Sequence, residues 1–269
     1  MPIAPQLTPV RAELTVDGRR LSYLDFGGPG RPLLALHGHL DEGRTWSALA
    51  AALSPRWRVI APDQRGHGDS DRAPGYTRDD YVADALALLD HLGVERVVAL
   101  GHSGGGMTAY RLAARHPERV VAVVDEDGPV ANHGDGPGPL SFVLDLPYEA
   151  PTRDALLAGL GQLAPMVAET VRENRDGTWR LPFHPRDTVV SEEHTRGEHW
   201  ADWLGSDCPA LLVLALRSQA LPLEQGREMV ARRTNTRLAE LDTDHFVHTA
   251  DPAGFAGAVR EFLDTLDPA

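Results

Sequence analysis

The 269-residue sequence predicts an α/β protein in which a mostly parallel sheet lies between two layers of helices. Two observations predict it. Short apolar runs alternate with helix-compatible segments over most of the chain. One of those runs, Val97-Val98-Ala99-Leu100, climbs into Gly101-His102-Ser103-Gly104-Gly105, and a helix-compatible segment leaves it. A serine on a sharp strand-to-helix turn sits in a strained backbone conformation, so small residues are needed two positions before and after it. Such a turn lifts the hydroxyl above the sheet. It also points the next backbone N–H and the helix N-terminus at any negative charge that develops there. The pentapeptide alone would say little, because Gly and Ser are common in loops; the strand and helix around it carry the inference.

Composition narrows the function classes. Hydrophobic residues make up 42% of the chain, enough for a substantial core, and the length suits one large domain or a domain with an insertion. The net charge of −13 argues against nucleic acid or an anionic membrane surface as partner. Every Lys/Arg position is arginine, a bias that the physics does not demand. A lone Cys208 permits no internal disulfide, and the first residues lack the basic and apolar regions of a signal peptide. No stretch approaches a membrane span. A soluble, cytoplasmic protein is the expectation, with homo-oligomerisation left open.

In chain order, Ala12–Val16 and Leu21–Phe26 read as antiparallel strands joined at Asp17-Gly18, a strong hairpin signal. Pro32–Leu36 is a continuous apolar run that suits a strand buried on both faces, and it ends in His37-Gly38-His39. Thr45–Leu53 reads as a helix, Trp57–Ala61 as a buried strand, and Asp63–Ser70 as a polar loop punctuated by glycine. Thr77 is the expected N-cap of an amphipathic helix running to about Leu92. The Val97 strand, the serine turn, a helix to about His116 and the strand Val120–Val124 follow. Between Pro129 and Asp207 the alternation stops: a breaker-rich loop at 132–139 precedes helical spacing at 154–173 and again at 191–204. Strands resume at Pro209–Ala215 and Arg237–Leu241, and a helix over Pro252–Leu266 ends the chain.

Together, His37-Gly38, Asp63–Ser70, the serine turn and Asp244-His245-Phe246 resemble the α/β-hydrolase fold family, in its capped esterase, lactonase and carbon–carbon hydrolase branch. The resemblance implies an eight-stranded, mostly parallel sheet flanked by helices, with a small, mainly helical cap inserted after the sixth strand. The core then occupies residues 1–129 and 208–269, and the cap 130–207. It also implies a triad in the chain order serine, acid, histidine. Ser103 matches the nucleophile, and His245, just after the last strand, matches the base; His248, three residues on, is the alternative. The oxyanion is expected on the backbone N–H groups of Gly104 and of His39, whose side chain is expected at the cleft entrance. His37, His67 and His102 are read as structural.

The acid departs from the commoner family pattern. Many members carry aspartate after the seventh strand, four residues before a proline; here that place is Ser218, ahead of Pro222. Serine cannot stabilise an imidazolium as a carboxylate does. Other members carry the acid after the sixth strand, where this chain has Asp125-Glu126-Asp127. Asp127, twenty-four residues beyond Ser103, is the first choice, with Asp125 and then Glu126 as alternatives. No metal is expected, since His194 and His199 are five apart and off a shared helix face. No cofactor is expected either, as no Gly-x-Gly-x-x-Gly follows the first parallel strand. The resulting expectation is a serine hydrolase acting on an ester, lactone or thioester of a small apolar or aromatic substrate. Cap residues such as Phe142, Tyr148, Trp179 and Trp203 are candidate pocket or cap-core groups. The alternatives are a repurposed biosynthetic member (cyclase, lyase or carbon–carbon hydrolase) and a non-catalytic ligand receptor.

Overall fold

The computed structural model describes residues 8–134 and 136–266. Eight strands form one sheet: β1 Val10–Val16, β2 Arg19–Asp25, β3 Arg31–Leu36, β4 Trp57–Pro62, β5 Val97–His102, β6 Val120–Glu126, β7 Ala210–Ala215 and β8 Thr236–Leu241. Their spatial order is β1-β2-β4-β3-β5-β6-β7-β8, antiparallel across β1-β2-β4 and parallel from β4 onward. Asp17 and Gly18 both take positive φ, 49° and 76°, the two-residue turn whose twist matches a hairpin.

The central strands are apolar throughout because helices cover both faces. Residues alternate between two cores. Leu34, Leu36, Ala99, Leu212 and Leu214 pack with Val82, Leu88, Met107 and Tyr110. Leu33, Ala35, Val98, Leu100, Leu211 and Val213 pack on the other side with Trp46, Leu49, Phe255 and Val259. The helices concerned are α1 Ser47–Leu53, α2 Arg78–His91, α3 Gly104–Arg115 and a C-terminal helix, Pro252–Leu263, that carries Phe255 and Val259. Thr77 caps α2 in a capping box: its hydroxyl accepts from Asp80 N–H, while the Asp80 carboxylate accepts from Thr77 N–H at 2.8 Å.

Between β6 and β7 lies the inserted segment. Its helical pieces are α4 Arg153–Leu160, α5 Pro185–Glu193 and single turns at Ala164–Val167 and Trp200–Trp203. Glu149–Ala150, Trp179–Arg180 and Arg172–Glu173 add a small antiparallel sheet that has no clear sequence signal. The helix expected at 191–204 is interrupted. Gly197 takes φ 93°, and Gly197–Glu198 pairs with Ala131–Asn132, so a short ladder replaces the middle of the helix. Trp203 also lies elsewhere than expected: it is fully buried against Tyr110 of α3 and donates its ring N–H to the Met229 carbonyl at 3.0 Å.

The segment has a core of its own, centred on Val143, Leu156, Leu160, Leu181 and Phe183. Ion pairs fasten it to loops of the core. Arg172 donates to Asp69 at 2.8 Å and to Glu42 at 3.0 Å, and Arg72 clamps Asp187 with bonds of 2.6 and 2.7 Å. Phe183→Ala removes a side chain with no exposed surface, so it should cost about 3–5 kcal/mol of stability. Urea unfolding would read this directly, and a loss below about 1 kcal/mol would show that the segment packs loosely over this core.

Candidate active site

Ser103 stands between the end of β5 and the start of α3 with φ 53° and ψ −120°, a conformation unfavourable for any residue with a Cβ. Its neighbours explain how the turn is tolerated. A Cβ on Gly101 would collide with the Gly105 carbonyl, and one on Gly105 would strike the carbonyls of Leu36 and His37. Ser103 N–H donates to the Glu126 carbonyl at 2.8 Å, and the Ser103 carbonyl accepts the α3 bond from Met107 at 3.0 Å. The serine is half-buried, at the positive end of a twelve-residue helix.

The three successive acids after Val124 go in three directions. β6 ends at Glu126, and Asp127 takes φ 54°, which breaks the alternation expected of a strand. Asp127 Oδ1 accepts from Ala215 N–H at 3.1 Å, and its Oδ2 accepts from His245 Nδ1–H at 2.7 Å. Asp125 instead lies beneath the serine turn, accepting from Gly128 N–H at 3.1 Å, in space that a Cβ on Gly106 or Gly128 would occupy. Burial, then the adjacent Asp127 charge, holds its carboxyl well above the usual carboxylate range, which favours the protonated form. Glu126 turns to His248, with bonds of 2.8 and 3.0 Å to Nδ1 and 2.9 Å to its backbone N–H. The Ser218 hydroxyl serves its own turn, accepting from Ala220 N–H at 3.0 Å.

His245 lies in the loop after β8, its side chain 23% exposed while Asp127 is fully buried. With Nδ1–H engaged by Asp127, Nε2 keeps its lone pair. The ring packs on His102 at 4.6 Å and on Phe246 at 5.3 Å. His102 in turn donates Nε2–H to the His245 carbonyl at 3.0 Å, a backbone tie that fixes the loop.

The remaining histidines divide the same way. His37 Nε2 accepts from Gln64 N–H at 2.9 Å while Nδ1–H donates to the Gly38 carbonyl at 2.7 Å. Burial, aided by nearby His67, lowers its pKa to about 4, so the ring is neutral. His67 spans the carbonyls of Arg65 and His39. Both agree with structural roles. The His39 side chain does not face a cleft entrance: it packs over Gly104 and meets the Ser191 hydroxyl of α5 at 2.9 Å.

Asp41, His102 and His248 bring one donor atom each within 4.8 Å of one another, a spacing a metal ion could use. The ring of His248 is engaged otherwise, between Glu126 at Nδ1 and Thr45 Oγ1, 2.7 Å from Nε2. Burial alone would strip its proton, but Glu126 and Asp41 outweigh that and hold its pKa up at about 10. An imidazolium has no lone pair to offer a cation, and the group reads as an internal ion pair. His199 Nε2–H donates to the Thr195 carbonyl at 3.0 Å, a purely local bond.

With this geometry established, a family model for the alpha/beta hydrolase fold matches residues 31–252. The chain belongs to the alpha/beta-hydrolase fold family. Among curated relatives of this hydrolase-fold chain, the 3-hydroxybutyrate-oligomer hydrolase of Cupriavidus necator is 28% identical over 292 residues, covering 97% of this chain and 99% of that protein. Lipase LipV of Mycobacterium tuberculosis is 40% identical over 167 residues, 62% of this chain and 58% of the lipase. Among solved structures, E-2-(acetamidomethylene)succinate hydrolase superposes with a TM-score of 0.82 at 22% identity, covering 96% of this chain and all of that one. No helix among the described residues is long and apolar enough to cross a membrane.

Proposed function

We propose that the protein is a serine hydrolase that cleaves an ester-type bond (ester, lactone or thioester) of a small apolar or aromatic substrate. The observation that carries this reading is the 2.7 Å bond from His245 Nδ1 to Asp127, together with a strained Ser103 at the head of α3. His245 Nε2 takes the Ser103 hydroxyl proton as Oγ adds to the carbonyl carbon. The oxyanion rests on the N–H groups of His39 and Gly104. Collapse expels the alcohol or thiol, which leaves with the proton from His245. Water then adds to the acyl-enzyme, again giving a proton to His245, and the acid departs as Ser103 is restored. The names of two relatives, a lipase and an oligomer hydrolase, support hydrolysis. A serine at the turn, rather than aspartate, argues against chemistries that need a carboxylate nucleophile.

Labelling with a fluorophosphonate, paired with hydrolysis of p-nitrophenyl acetate, tests the reading. Wild type should label, Ser103→Ala should not, and His245→Ala should label at least 100-fold more slowly. Folded wild type that neither labels nor turns over would sink it and favour a repurposed reaction or a receptor.

A further inference from the structure

Arg78, the first residue of α2, is buried, yet its hydrogen-bond acceptors are all neutral. Nη1 donates to the Gly104 carbonyl at 3.2 Å. Nη2 donates to the Ser191 hydroxyl at 2.5 Å, with the carbonyls of Ser191 and Tyr76 at 3.3 and 3.5 Å. The guanidinium lies 4.2 Å over the Tyr81 ring, and its buried Nε has no partner among the described residues. Of the other buried arginines, Arg65 has Asp84 at 2.8 Å, whereas Arg233, also without a carboxylate partner, bonds to the carbonyls of Trp203 and Cys208 and to the Ser206 hydroxyl and touches neither Gly104 nor His39. Taking a cation out of water without a counter-ion is costly, and the pocket beside it, about 10 Å³, leaves little room for water to screen the charge.

That charge lies against both residues whose N–H groups are assigned to the oxyanion. A Cβ on Gly104 would stand 3.3 Å from Arg78 Nη1 and 2.9 Å from the His39 ring. Ser191 completes the link: its oxygen takes bonds from Arg78 and from Tyr81 at 2.8 Å, which leaves its own proton for His39 Nε2 at 2.9 Å. We propose that Arg78 is a positioning residue whose buried, unpaired cation stabilises the tetrahedral oxyanion while its bonds hold Gly104 and His39 in place. Resting enzyme offers this cation no anion; the tetrahedral intermediate offers one, so the attraction is realised mainly where it lowers the barrier. This inference rests on Ser103 being the nucleophile.

The test measures kcat and KM for p-nitrophenyl acetate, and Ki for phenylboronic acid, which forms an anionic tetrahedral adduct on a serine. Arg78→Met should lower kcat about 10- to 100-fold, leave KM within about 3-fold and weaken the boronate by a factor similar to the kcat loss. Arg78→Lys should restore most of the loss. Ser191→Ala, which cuts the tie to α5 but keeps the charge, should fall less far than Arg78→Met. Arg78→Gln serves as the charge-free variant if the methionine fails to fold, with thermal melts checking each protein. An unchanged kcat, a loss confined to KM, or a Ser191→Ala defect equal to that of the charge-free variant would overturn the proposal. If wild type neither labels nor hydrolyses esters, the assignment of Ser103 itself has failed. If wild type labels and the charge-free variant matches it, only the role of Arg78 has.

Discussion

Asp127→Asn should lower kcat for an activated ester by about 10³- to 10⁴-fold while leaving the fold intact. The amide oxygen can keep the bond from Ala215 N–H, which places the NH₂ group opposite His245 Nδ1. A donor there selects the tautomer with its proton on Nε2, so the nitrogen that should accept the serine proton already carries one. Asp125→Asn is the control. Its carboxyl is buried and touches no part of His245, and burial favours its protonated form, so an amide of the same shape leaves kcat within about 3-fold. Initial rates for both variants, with thermal melts to show that they are folded, check the pair. Equal losses in the two, or a loss only at residue 125, would move the acid away from residue 127.

The second large effect concerns stability. Glu126→Gln removes the main counter-ion of the buried His248, which should cost roughly 3–5 kcal/mol near neutral pH. The pH dependence identifies the cause. His248 has a folded pKa of about 10, above the ordinary histidine value of 6.5. The stability it contributes is therefore complete below pH 6.5 and is lost as pH rises through 10. Wild type should accordingly lose stability between pH 6.5 and 10, and the variant should lose much less over that interval because its His248 holds the proton weakly. Denaturant midpoints at pH 6 and pH 9.5 for both proteins measure the difference. Parallel pH slopes would assign the alkaline loss to other groups.

The sheet was legible in the sequence because burial on both faces leaves uninterrupted apolar runs, and Asp17-Gly18 announces the hairpin. Ser103 and His245 stood out as candidates for a related reason, since each sits where a strand end meets a helix. The acid was harder. Spacing favoured Asp127, but the alternation of side chains along β6 stops before it, at the positive φ of Asp127. Gly128 directly after the acids was the available sign of a turn there. The pairing of Glu126 with His248 crosses 122 positions, and Ser191 meets Arg78 across 113. Neither motif nor periodicity reports contacts of that range. The helix misread at 191–204 fails for the same reason: its disruption depends on pairing with Ala131–Asn132, which local spacing cannot reveal.

The position of Asp127 before the inserted segment has a consequence for how such a chain can diversify. Ser103, the N–H groups of His39 and Gly104, and Asp127 all precede that segment, and only His245 is supplied from beyond it. Had the acid stood at Ser218, two of the three triad members would depend on how faithfully the interposed chain returns to the sheet. Here the register of β7 against β6 and the Ala215 N–H restore one partner alone. Changes to the segment between β6 and β7 that keep Ser191 against His39 and Arg78 therefore perturb a single alignment. Specificity can drift in this arrangement while the proposed nucleophile and its proposed acid stay in one continuous scaffold.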